Sequence, residues 1–252
     1  MMALCFKSGG KSMTFHGMWR SVGNCLAGAG MLFFLGLPVT WAGDVMTDVY
    51  AIQSEWEQAF YRMPDAEKPA RYRNLIARLQ VLAAKYPYRP EPLIMEAIVL
   101  CTYAGAEWGL SSLTRLDQAR ALLERSLEMD PAAMEGSAYI TLGNLYYRLP
   151  GWPISYGDDD KAEYSLRKAL ELFPNGLDAN YFFADFLIED DREEEALPYL
   201  VRAESAPTRP HQVLSDAKLK EQVDAALRHY HSRESGHGDF FSQFMPVLEH
   251  GK

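Results

Sequence analysis

Positive charge is in short supply here. The 252 residues carry 25 Lys and Arg against 34 Asp and Glu, a net charge of −9. A nucleic-acid-binding domain displays a basic patch or stripe, and this chain has none in evidence, so nucleic acid is excluded as the expected partner. Cysteine is scarcer still, at three residues. Uninterrupted apolar stretches are short, and a membrane-spanning helix needs about 20 consecutive apolar residues. Enzyme signatures are missing too. The chain holds no Gly-x-Ser-x-Gly, no His-Glu-x-x-His and no phosphate-cradling glycine loop, so no catalytic residues, no cofactor and no resident metal are expected. Apolar residues nevertheless make up 48% of the chain, which is enough for a substantial core and argues against general disorder.

The first 42 residues differ from the rest. They contain Lys7, Lys11 and Arg20 and no acidic residue, followed by "LAGAGMLFFLGLPVTWA". A basic segment, a short apolar run and small residues at its end have the form of a secretory signal. Gly28, Gly30, Gly36 and Pro38 interrupt the run, which favours cleavage after Ala42 over a retained anchor. Cys25 precedes the apolar run, where a lipid-attachment cysteine would follow it. Cleavage leaves 22 basic against 34 acidic residues, a net charge of −12. Such a protein is not held on anionic lipid by charge. It retains only Cys101, so its stability in an oxidising compartment has to come from packing. Periplasmic or secreted placement follows as the expectation, with no membrane span after cleavage.

The remainder repeats itself. In "DKAEYSLRKALELFP" Ala162, Leu166, Ala169 and Pro174 lie at offsets of 0, 4, 7 and 12. Ala119, Leu123, Ser126 and Pro131 keep those offsets, as do Leu75, Leu79, Leu82 and Pro87, and Ala196, Leu200 and Ala203 keep the first three. Offsets of 4 and 7 stack side chains on one face of a helix, and the proline ends it. Each such helix has a partner before it. "YITLGNLYY" and "NYFFADFL" place Gly143 and Ala184 among larger apolar residues, where a small side chain lets two helices approach closely. The last helical stretch, "QVLSDAKLKEQVDAALRHYH", is more polar and reads as a capping helix.

These units resemble the tetratricopeptide repeat, and the unit from Leu177 to Pro210 fits its 34-residue period without a gap. The resemblance covers roughly residues 45 to 230. It implies an all-α, right-handed alpha-alpha superhelix, a TPR-like solenoid of about four helix pairs over residues 43–232, with a C-terminal capping helix and a tail at 233–252. A narrower likeness lies in "GAEWGLSSL", "LGNLYYRLPGWPISYGDDDKAEYSLRKALELFP" and "GLDANYFFADFL". Together, from Ala104 to Leu187, they are similar to the T-component family of TRAP transporters. These are exported tetratricopeptide proteins that partner a periplasmic solute-binding protein. That likeness implies a compact helical body, self-association to a homo-oligomer, and a pore or cleft near the repeats.

Within this frame one stretch stands out. Leu142 precedes Ala162 by seven residues more than Phe183 precedes Ala196, so "PGWPISYG" is an insertion between two helices of one repeat. "AEWGLSSLTR" in the neighbouring repeat reads as a second enlarged turn. Insertions in repeat arrays map to one face, often the binding face. Two readings of their aromatics stand side by side. Trp152 and Tyr156 with Tyr103 and Trp108 could line a pocket between two lips, with Asp158 at its rim, or the rings could fold back and plug the edge of their own repeats. "GDDDKAE" offers carboxylates for calcium, but its spacing does not match an EF-hand loop, and a helix N-cap by Asp158 or Asp159 explains them. His229, His231, His237 and Asp239, flanked by Gly and Ser, read as a loose tail rather than a metal site.

Counting around the first helices points Asn144, Tyr147 and Arg148, then Asp178, Tyr181, Asp185 and Glu189, toward the groove. Asn144 and Arg148 suit a peptide carboxylate in part, whereas Asp185 and Glu189 suit a cationic or hydroxyl-rich ligand. A merely solvated polar face fits as well. The resulting expectation is an exported non-enzymatic adaptor that binds a protein or peptide partner of the cell envelope through the groove and the inserted loop. The alternative is an accessory, T-component-like subunit of a solute-uptake system with a small apolar ligand.

Overall fold

The computed structural model describes residues 44–107 and 110–232. The expected leader, Trp108 and the 233–252 tail, with His237 and Asp239, lie outside the described residues. Within them the chain is all-helical. The helices are α1 Val45–Arg62, α2 Lys68–Lys85, α3 Glu91–Ala106, α4 Leu110–Met129, α5 Ala133–Arg148, α6 Asp159–Leu172, α7 Leu177–Glu189, α8 Glu193–Ser205 and α9 Val213–Ser232. Among the described residues no helix is long and apolar enough to cross a membrane.

Each helix from α1 to α9 packs on the next, and α1, α3, α5, α7 and α9 also touch in sequence as a row. The repeated offsets explain the pairing. Ala119, Leu123 and Ser126 on α4 are fully buried, as are Ala162, Leu166 and Ala169 on α6. Leu75 and Leu79 on α2 and Ala196, Leu200 and Ala203 on α8 occupy equivalent buried faces. The small residue on the preceding helix is a steric requirement. A Cβ at Gly143 would lie 2.5 Å from Leu166 Cγ and 3.3 Å from the Ala162 carbonyl oxygen, so α5 and α6 meet at that point with no room for a side chain.

The first helices of the pairs behave differently from the second. α3 is apolar nearly all round, and Leu93, Ile94, Met95, Ala97, Val99, Leu100 and Cys101 are all buried. A helix apolar on every side is covered on every side, and α3 contacts α1, α2, α4 and α5. The second helices are amphipathic and keep one face in solvent.

One expectation about the edges needs correction. "AEWGLSSLTR" is not an enlarged turn, because α3 runs to Ala106 and α4 already starts at Leu110. Leu110, Leu113 and Leu116 recur at helical spacing, and the Ser112 hydroxyl donates to the Glu107 carbonyl oxygen, so the additional residues extend α4. The insertion between α5 and α6 does form a loop, from 149 to 158, against 190 to 192 between α7 and α8.

Candidate functional site

The inserted loop is tied down along its length. The Gly157 amide donates to the Pro150 carbonyl at 3.1 Å, Ile154 to Gly151 at 3.2 Å, and Asp158 to Tyr146 at 2.9 Å. A Cβ at Gly157 would sit 1.9 Å from the Leu149 carbonyl oxygen, so only glycine lets the two arms of the loop close. The Tyr156 hydroxyl donates to the Leu116 carbonyl of α4 at 3.0 Å. Its ring meets Tyr146 edge-on and lies under the Arg120 guanidinium, 4.2 Å from the ring centre. Burial pushes the Tyr156 phenol well above its ordinary value, so it stays a neutral donor. Asp158 caps α6, accepting from the Lys161 amide at 3.0 Å, and its side chain pairs with the Lys161 ammonium at 2.8 Å. The Lys161 side chain first, then its amide, hold the Asp158 carboxyl below the usual range.

The aromatics therefore divide. Tyr156 plugs the edge of the repeat. Tyr103 is buried; its ring lies 3.9 Å from the Arg115 guanidinium, and its hydroxyl accepts from Arg73 and donates to Glu107. Tyr103 and Tyr156 lean on the same stretch of α4, at Arg115 and at Leu116 and Arg120, in separate nests of neighbours. Trp152 is 89% exposed and Ile154 67% exposed at the loop's tip, carried outward by the anchored arms.

Of the residues counted toward the groove, Asn144, Tyr147, Tyr181 and Asp185 are buried, Arg148 and Asp178 are partly buried, and Glu189 is exposed. Asn144 is fully buried and Tyr181 nearly so. Arg148 donates to Asp185 Oδ2 at 2.7 Å, and the Tyr147 hydroxyl donates to the same carboxylate. Arg148 also stands 3.9 Å from Glu189. The arginine suited to a ligand's carboxylate thus already holds one from the neighbouring helix, and the three side chains tie α5 to α7.

What replaces the open groove is a cavity. Its volume is about 90 Å³, and α1, α3, α5, α7 and the start of α9 all line it. Trp56, Met95, Ile140, Phe182 and Leu219 form apolar walls. Cys101 also lines it; burial pushes its thiol up to about 12, so it is a small apolar surface and not a nucleophile. Gln53 and Asn144 bring polar atoms. Closure comes from the far end of the chain. The Ser215 amide donates to Glu57 Oε1 on α1 at 3.3 Å, and His211 stacks on Tyr50 with ring centres 3.9 Å apart. Arg209 pairs with Glu135 at 3.0 Å, Asp178 at 2.8 Å and Asp216. Burial works against its charge, but Asp178 and Asp216 outweigh that and keep the guanidinium charged. At the start of α5, Met134, Glu135 and Gly136 have φ of 48°, 55° and 75°. Two successive non-glycine residues in the left-handed region are costly, and they stand where Glu135 meets Arg209.

Glu57 carries a pH dependence. Burial is the main reason its carboxyl is raised above the ordinary 4.5, with Asp216 adding to it, while Ser215 and Arg209 oppose the shift. A carboxyl raised in the folded state binds its proton more tightly folded than unfolded. Its contribution is complete below the ordinary glutamate value and is lost as pH rises through the raised one. Glu57→Gln keeps the oxygen that accepts from Ser215 and removes the titration. The melting temperature of Glu57→Gln is expected to exceed that of the parent at pH 7 by more than at pH 4. Parallel curves across that range would assign the slope to other groups.

Among the described residues no set of three or more His, Cys, Asp or Glu is placed to hold a metal ion. No family model matches this chain, and no curated protein matches it. Its class rests on the helices themselves: among the described residues it is an all-helical protein, with a loop at 149–158 between α5 and α6. Sequence reasoning named Asn144 and Asp178 but missed Gln53, Met95 and Leu219 as cavity residues. The one signal for the cavity was the all-round apolar character of α3, which announces a buried helix but not a void beside it.

Proposed function

We propose that this chain is an exported, non-enzymatic scaffold of the tetratricopeptide type, a right-handed superhelix that binds a folded protein partner of the cell envelope through the tip of the inserted loop. The observation that carries this reading is the exposure of Trp152 and Ile154, 89% and 67%, on a loop held by Tyr156, Gly157 and Asp158. Large apolar side chains presented on a rigid support are the usual anchors of an interface. Asp159 and Asp160 are exposed in the first turn of α6, directly after the loop, so the complementary partner offers an apolar socket with basic residues nearby. The likeness to T-components supports a partner from a solute-uptake system, with the chain as an accessory subunit.

The Trp152→Ala substitution tests this. An exposed side chain contributes within about 0.5 kcal/mol to folding, so the melting temperature is expected to stay put. Affinity for the partner purified from the same envelope is expected to fall about 30-fold, the loss of one anchor residue worth about 2 kcal/mol. A large drop in thermal stability with binding per folded molecule unchanged would sink the reading. Native mass spectrometry of protein from its own source separates a stoichiometric protein partner, a second copy of the chain and a co-purifying small molecule.

A further inference from the structure

The cavity closed by α9 is a second candidate, separate from Trp152, and it stands whether or not the loop engages a partner. Three buried polar atoms of its lining have no hydrogen-bond partner, Gln53 Oε1, Asn144 Oδ1 and the Ser215 hydroxyl, and the two amide oxygens among them can only accept. Asn144 Nδ2 donates to the Ile140 carbonyl at 2.8 Å, which fixes the amide's orientation and leaves Oδ1 as the end that accepts. That oxygen and Gln53 Oε1 are both buried without a hydrogen bond. Asn144 is 0% exposed and Gln53 4%. A folded protein seldom buries an unsatisfied acceptor, because the desolvation cost is not recovered. Here two amide oxygens do so in one cavity whose apolar walls include Trp56, Met95, Ile140 and Phe182.

We propose that this cavity binds a small neutral molecule with an aliphatic or aromatic body and a single hydroxyl, which donates to Asn144 Oδ1 or Gln53 Oε1. The walls set the body, since apolar cavities favour apolar occupants over water. The acceptors set the head, since each lacks a donor. Charge is excluded because a buried ammonium needs an ionic partner, and Asp178, the carboxylate in the lining, is already paired with Arg209. Size is bounded too. An engineered cavity of about 150 Å³ takes benzene, so one of about 90 Å³ takes roughly four non-hydrogen atoms, with room for a fifth toward its open side. Access lies where Met134, Asp178 and Gln212 are only partly buried. Met134 is flexible in its side chain, and the neighbouring Arg209 pairs hold α9 across that side.

The test uses the full chain labelled with ¹³C at the methionine methyls, because Met95 and Met134 both line the cavity. n-Butanol and diethyl ether have the same atoms, but only the alcohol donates. n-Butanol is expected to shift both methyl signals saturably, with diethyl ether about tenfold weaker, the worth of one hydrogen bond. n-Butylammonium is expected to bind weakest. Asn144→Leu or Gln53→Leu is expected to narrow the gap between alcohol and ether. The comparison in the parent chain decides the matter even if neither variant folds. Equal binding of alcohol and ether, tighter binding of the ammonium, or no saturable shift at either methyl overturns the proposal. So does a high-resolution structure in n-butanol that shows ordered water alone on both amide oxygens.

Discussion

Arg209→Met is expected to cost about 3–5 kcal/mol of folding stability, the loss seen when one member of a buried ion network is removed. Arg209 stands before α9 and reaches Glu135 on α5, Asp178 on α7 and Asp216 on α9. Asp216 has no exposed surface and also accepts from the Arg209 amide at 2.6 Å. Methionine preserves much of the stem's packing and deletes the charge, leaving Asp216 buried beside Asp178 without its cation. Chemical denaturation measures the loss. Hydrogen exchange should place its local part in the first turns of α9, where the Ser215 amide meets Glu57. Adding Asp216→Asn is expected to recover part of the loss, since the second change removes the stranded charge. A change under about 0.5 kcal/mol, the range of an ordinary surface substitution, would mean that the network is screened by solvent.

Asp185→Ala is expected to be comparably damaging, at about 3–5 kcal/mol, for a buried pair broken from one side. The Arg148 and Asp185 side chains are 8% and 7% exposed, and Asp185 also accepts from Tyr147. After the substitution the guanidinium keeps the Tyr147 hydroxyl at 3.1 Å and the Glu189 carboxylate at 3.9 Å. Truncation also opens space in front of it, so formate is expected to restore part of the stability and an equal concentration of chloride none. Thermal unfolding in the two salts checks this. A variant as stable as the parent would show that Arg148 is compensated without Asp185, and that the tie between α5 and α7 is carried by packing.

Much of the helical arrangement could be read from the chain. Offsets of 4 and 7 among small and branched residues named the buried face of α4, α6 and α8 residue by residue, because a helix brings those positions onto one line whatever surrounds it. Gly143 was legible as a close-approach point for the same reason. The insertion at 149–158 was legible as a departure from the repeat length. The second expected insertion was not, because "AEWGLSSLTR" contains leucines at helical spacing and a longer helix and a longer turn give the same count between repeats. Asn144, Tyr147, Arg148 and Asp185 were misplaced as open groove residues. Their sequence pattern states which way they point from their own helix and is silent on what stands opposite.

Local periodicity, then, determined that the chain is helical, where most helices lie, which faces they bury and where the loop departs. Those properties depend on residues within two or three turns of one another. Tertiary structure alone decided that Arg148 is answered by Asp185 across 37 residues and that Ser215 meets Glu57 across 158. It also decided that α9 returns to α1 and walls one side of a cavity with two unanswered amide oxygens. Each of these is a meeting of surfaces whose partners are distant in the chain, and side-chain chemistry becomes a site only when packing has chosen what faces it.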